Sequence, residues 1–128
     1  MNKDARVYLA QILERIERIE QYTVGGRQAF FAEPLIQDGV IRNFEVIGEA
    51  AKRIPAEYKQ QHPAIPWKSL TAFRDVLIHQ YEGIGLSEVW NVIEGDVPGL
   101  KRAIGAILPP LDQLERELAG DAPPADGT

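Results

Sequence analysis

PLIQDGVIRNFEVIGEAAKRIP, residues 34–55, is the stretch that decides the fold of this chain. Ile36, Val40, Phe44, Ile47, Ala51 and Ile54 recur in it at three- and four-residue steps, which lays them along one face of an α-helix. Pro34 suits a first turn, where its missing N–H costs nothing, and Pro55 stops the run. Gly39 and Gly48 each weaken such a helix by about 1 kcal/mol relative to Ala. Gly48, followed by Ala50 and Ala51, therefore marks the close approach of a neighbouring helix.

The same period extends in both directions. Towards the N-terminus, Leu9, Ile12, Leu13, Ile16 and Ile19 form one stripe between Asp4 and Tyr22. Glu14, Arg15, Glu17, Arg18 and Glu20 make its polar face, with Glu14–Arg18 a favourable i,i+4 pair. Gly25-Gly26 ends this helix, and a short connector with Phe30 and Phe31 follows. Towards the C-terminus, PAEYKQQHPAIP (residues 55–66) has three prolines and no period, and reads as a loop. Pro66 opens a third helix, WKSLTAFRDVLIHQY, with Leu70, Phe73 and Leu77 facing inward, broken by Gly83 and Gly85. A fourth starts near Leu86-Ser87 and carries Val89, Trp90, Val92, Ile93, Val97 and Leu100, with Pro98 kinking or restarting it. Pro109-Pro110 precedes a last amphipathic segment with Leu111, Leu114 and Leu118. The expectation is an all-α bundle of four to five helices over residues 1–118, with a polar, Pro-rich disordered tail over 119–128.

Composition bounds the function. The 128 residues suit one domain, and a chain of that size buries roughly two-thirds of the surface it exposes when unfolded. The absence of cysteine excludes disulfides, thiolate nucleophiles and Cys-ligated metal centres. No apolar run approaches the ~20 residues of a membrane span, and the N-terminus lacks a signal-peptide core, so the expected location is the cytoplasm. A formal charge of −5 argues against binding nucleic acid by bulk electrostatics, but it leaves room for a local basic site. Most of the basic residues, Arg15 and Arg18 among them, read as solvated helix faces.

Only two histidines are available for proton transfer near neutral pH. His62 precedes Pro63 in the irregular segment. His79 lies in Arg74-Asp75-Val76-Leu77-Ile78-His79-Gln80-Tyr81. Asp75 and His79 are about 40° apart on a helix, close enough for the carboxylate to orient the imidazole. Arg74 and Tyr81 are within about 20° of each other, but Arg74 and His79 are about 140° apart. One straight helix does not aim both at a single point. The helix can end near His79, the Arg side chain can wrap round, or a two-fold axis can bring two motifs together.

Arg-x-x-x-x-His-x-Tyr on the third helix of a small bundle resembles the signature of the HEPN superfamily. More narrowly, the chain is similar to HepT-like ribonuclease toxins encoded with MntA-type nucleotidyltransferases. IRNFEVIGEAAKRIP (Ile41–Pro55), HPAIPWKSL (His62–Leu70), FRDVLIHQYEGI (Phe73–Ile84) and VWNVIEGDVPGLK (Val89–Lys101) read like that family's blocks in order. The chain departs from the family pattern at Asp75, where Asn is commoner, at Gly85, where a capping Asp is usual, and at Gly39, where Ala is usual.

The resemblance implies a metal-independent ribonuclease without cofactor, working as a homodimer whose Arg–His motifs face one another. By that likeness Arg74 holds the scissile phosphate of the RNA, His79 acts as general base or acid, and Asp75 orients His79. Arg42 and Lys52 are the expected auxiliary phosphate contacts. The likeness further implies silencing by a nucleotidyltransferase antitoxin, which transfers AMP to Tyr81. A second reading is a non-catalytic helical subunit that helps a nucleotidyltransferase bind nucleotide. A plain dimerisation module accounts for the stripes but not for the coincidence of Arg, Asp, His and Tyr.

Overall fold

A computed structural model of the chain describes residues 4–79 and 85–120. It comprises, among those residues, α1 (Ala5–Tyr22), α2 (Gly26–Ala32), α3 (Pro34–Arg53), α4 (Ala56–Gln61), α5 (Trp67–His79), α6 (Leu86–Gly95), α7 (Val97–Ile107) and α8 (Leu111–Leu118), and no strand. The all-α class stands, and the count of helical segments exceeds four to five because prolines and caps divide the chain more finely.

α3 is the centre, packed along α1 on one side and α5 on the other. The predicted stripes form the core. Leu9, Ile12, Ile16 and Ile19 of α1 meet Val40, Phe44, Ile47 and Ala51 of α3, all buried, while Leu13 is half-buried. Leu77 of α5 is fully buried, with Leu70 and Phe73 half-buried beside it. Phe73 meets Phe44 edge-on, with ring centroids 5.2 Å apart. α6 and α7 close the far side with Val89, Trp90, Val97, Leu100 and Ile104.

Local chemistry explains the boundaries. The Asp4 carboxylate caps α1 by accepting from the Arg6 backbone N–H at 2.9 Å. α1 stops at Tyr22 because Thr23 folds back on it, its hydroxyl donating to the Ile19 carbonyl at 2.7 Å. Gly26 then turns the chain with φ +86°, a conformation that glycine adopts without strain. Pro98 restarts the chain as expected: α6 ends at Gly95, and α7 begins at Val97 with the proline in its first turn. Leu114 anchors α8, and the Arg6–Glu117 ion pair at 3.2 Å ties α8 back to α1.

Two expected loops are helical. The Phe30–Phe31 connector is α2, with Phe30 fully buried and tilted against Trp90 at 5.4 Å. The Pro-rich segment contains α4, because Pro55 sits at its N-cap and Pro63 falls beyond its end, where neither interrupts a hydrogen bond. Of the expected tail, Ala119 and Gly120 cap α8, and residues 121–128 lie outside the described residues. No helix among the described residues is long and apolar enough to cross a membrane.

Candidate active site

The site is built on the α3–α5 contact. α5 starts where Trp67 is pinned: its indole N–H donates to the His62 carbonyl at 3.0 Å and to the Lys59 carbonyl at 3.2 Å. His62 itself stacks on Tyr58, ring centroids 4.4 Å apart, which gives it a packing role. One turn further along, α5 lies against Gly48 of α3. A Cβ there would run into Arg74 Cβ, would lie 2.7 Å from Arg74 Cγ and would lie 2.9 Å from the Leu70 carbonyl oxygen. The glycine predicted to admit a neighbouring helix thus admits the motif arginine itself.

So placed, the Arg74 guanidinium reaches α3. Its Nη2 donates to Glu49 Oε2 at 2.8 Å, and its Nη1 donates to Asp75 Oδ1 at 3.0 Å. Its Nε is buried without a hydrogen-bond partner. Glu49 also takes Arg53 at 3.2 Å, so one carboxylate joins two guanidinium groups. Such a bridge orients Arg74 and partly neutralises it.

Arg74 opens onto a polar cleft of about 500 Å³ between α1, α3 and α5, whose lining includes Arg15, Arg42, Glu45, Glu49 and Arg53. Arg42 pairs with Glu45 at 3.7 Å. Arg15 meets Asn43, the buried polar residue of α3, with Nη1 donating to Asn43 Oδ1 at 3.4 Å. A second, apolar groove lined by Phe44, Leu70, Phe73 and Leu100 lies elsewhere on the bundle. Its lining includes Asp96 but, among the described residues, no basic side chain.

Among the predicted site residues, Arg74 and Arg42 therefore line one cleft, and Asp75 is joined to Arg74. Lys52 is exposed and does not line the cleft, whereas Arg53 does. The reason is helical: Arg42 and Arg53, eleven residues apart, differ by about 20°, but Lys52 is displaced by about 80°. The α5 helix runs unbroken to His79, its last residue, and the side chain of His79 lies outside the described residues, as does all of Tyr81.

Sequence reasoning missed Glu49, Arg15 and Asn43. Asn43 had a signal, since it interrupts the apolar face three residues after Val40 and four before Ile47. Arg15 was read as solvated, and only the packing of α1 on α3 turns it inward.

A sequence model of the family described as "Ribonuclease HepT-like" matches residues 12–107. The chain is 41% identical over 105 residues to a "Probable ribonuclease HepT" of Thermococcus cleftensis, covering 79% of this chain and 93% of that one. It is 34% identical over 107 residues to a "Putative RNase" of Caldanaerobacter subterraneus subsp. tengcongensis, covering 83% and 96%. It is 44% identical over 114 residues to a "Gamma-glutamylcyclotransferase and putative RNase" of Methanocaldococcus jannaschii. That match covers 88% of this chain and 51% of the relative, so the chain spans about half the length of that protein. No solved structure matches.

Proposed function

The chain belongs to the Ribonuclease HepT-like family, and on that premise we propose that it is a metal-independent endoribonuclease, the toxin of a toxin–antitoxin pair, working as a homodimer. The observation that carries this reading is the seat of Arg74, a partly buried guanidinium opening onto a cleft with three further arginines.

RNA can be cut with its own 2′-hydroxyl as nucleophile. The 2′-oxygen bonds to phosphorus while its proton passes to an imidazole, the P–O5′ bond breaks, and O5′ takes a proton from an imidazolium. The products are a 2′,3′-cyclic phosphate and a 5′-hydroxyl. His79 supplies the imidazole, and a second copy of the chain supplies the imidazolium. Arg74 binds the scissile phosphate and offsets the charge that grows on it. Arg74 and His79 are about 140° apart on one helix, so a two-fold pairing is what gathers both groups at one phosphate. The exposed apolar residues Val76 and Ile78 of α5, 37% and 42% accessible beside the motif, are surface such a pairing covers.

Regulation follows from Tyr81. An MntA-type nucleotidyltransferase transfers AMP from ATP: the phenolic oxygen bonds to the α-phosphorus, pyrophosphate leaves, and the phenol loses its proton. The added phosphodiester puts bulk and negative charge by Arg74.

One observation favours the non-catalytic alternative: Arg74 is already paired with two carboxylates, as a structural arginine is. His79→Ala decides between them. It is expected to abolish RNA cleavage and growth inhibition with helicity unchanged, and retained cleavage defeats the catalytic role assigned to His79. Incubation with the partner enzyme and ATP is expected to add AMP mass to the peptide holding Tyr81.

A further inference from the structure

The cleft arginines are not equivalent. Arg42 is offset by Glu45, and Glu49 serves both Arg53 and Arg74. Arg15 has no carboxylate partner among the described residues; its partner is the neutral amide of Asn43. That amide is itself fixed, because Asn43 Nδ2 donates to the Gly39 carbonyl at 2.7 Å, which turns Oδ1 towards Arg15. Asn43 is 3% exposed and sits on the apolar face of α3, where a polar side chain is costly unless bonded. The fold thus spends a buried amide on holding one arginine without cancelling its charge. The Nε of Arg15, like that of Arg74, is buried with no acceptor. Two guanidinium groups lining one cleft thus each keep an Nε–H without an oxygen partner, and an oxyanion held in the cleft can supply it.

We propose that Arg15, positioned by Asn43, forms a second phosphate subsite in this cleft, taking an RNA backbone phosphate next to the one held by Arg74. The identity of the anion rests on the ribonuclease reading; the subsite itself rests on the geometry. A second subsite explains how a chain of formal charge −5 retains RNA: its unbalanced cation lies inside the cleft.

The test uses the full-length protein and a fluorescein-labelled single-stranded oligoribonucleotide with every 2′-hydroxyl methylated, which keeps the phosphates and removes the nucleophile. Fluorescence anisotropy is measured over a range of salt concentrations. Arg15→Gln is expected to weaken binding about tenfold at low salt and to reduce the slope of log K against log salt by about 0.7, one phosphate contact on a single strand. Arg15→Lys keeps the charge and is expected to keep the slope, which separates loss of contact from loss of fold. Arg18→Gln, on the same helix but paired with Glu14 outside the cleft, is expected to match the unsubstituted protein. An Arg15→Gln protein with unchanged affinity and slope overturns the subsite, as does an unsubstituted protein that does not bind the probe.

Turnover of unmethylated RNA, measured in parallel, separates the two proposals. An inactive protein that still binds through Arg15 removes the ribonuclease reading and leaves the subsite. An active protein indifferent to Arg15→Gln does the reverse. In the active case Arg15→Gln is expected to raise KM while leaving kcat near its original value, because the contact is made equally in ground and transition states.

Discussion

Gly48 and Arg74 occupy one another's space: the α3 backbone at residue 48 lies where a Cβ would collide with the Arg74 side chain, and would sit 2.9 Å from the Leu70 carbonyl oxygen. This contact sets the separation of the two helices that carry the site.

Gly48→Ala is therefore expected to destabilise. The helix gains about 1 kcal/mol from the better former. Against that, overpacking costs about 1–3 kcal/mol, and here the upper end or beyond applies, since Leu70 offers a backbone atom that cannot swing away. Thermal unfolding is expected to show a Tm lower by several degrees, with RNA cleavage reduced because Arg74 is pushed off its seat. An unchanged Tm would mean that α5 can shift freely.

Gly39→Ala makes the contrasting case. Its Cβ would meet the Tyr22 ring at 3.0 Å, but Tyr22 is 40% exposed at the end of α1 and can rotate outward. The helix-propensity gain of about 1 kcal/mol then goes largely unopposed. Denaturant titration is expected to show stability unchanged or raised.

Glu49→Gln addresses the bridge. Glu49 is 39% exposed, so its ion pair contributes at most about 0–1 kcal/mol to stability, and Tm is expected to move little. Function is expected to change more. Glu49 competes with phosphate for Arg74, so its neutralisation raises RNA affinity; it also orients the guanidinium, so turnover falls. A lower KM together with a lower kcat is the expected signature, and a change in neither would assign Glu49 to the surface only.

Asp4 gives a pH dependence. Hydrogen bonding from the Arg6 side chain holds its carboxyl below the ordinary value of 3.8. A carboxyl with a depressed folded-state pKa stabilises fully above its unfolded value, and this stabilisation disappears as pH falls through the folded value. Asp4→Ala removes the α1 cap and is expected to cost about 1 kcal/mol near neutral pH. The gap between the two proteins is expected to close below about pH 4, read from unfolding curves across acid pH.

The long helices were legible because a stripe of apolar residues repeats over several turns, as Leu9–Ile19 and Ile36–Ile54 do. The breaks at Pro98 and Pro109-Pro110 were legible because proline removes a specific hydrogen bond. α2 and α4 were not, since 7 and 6 residues hold too few repeats for a period to show. In the site, Arg74 stood out by motif and Gly48 by the incongruity of glycine within a helical stripe.

By itself the sequence determined which residues share a face of each helix, because a helix turns by about 100° per residue wherever it forms. It thereby settled the all-α class and the α3 stripe. Only tertiary structure decided that Glu49 meets Arg74 at 2.8 Å and that Asn43 turns Arg15 into the cleft. Those contacts join α1, α3 and α5, and they depend on how far each helix is rotated and how closely it packs. Side-chain volume across the interface sets both, and spacing along one helix carries no record of them.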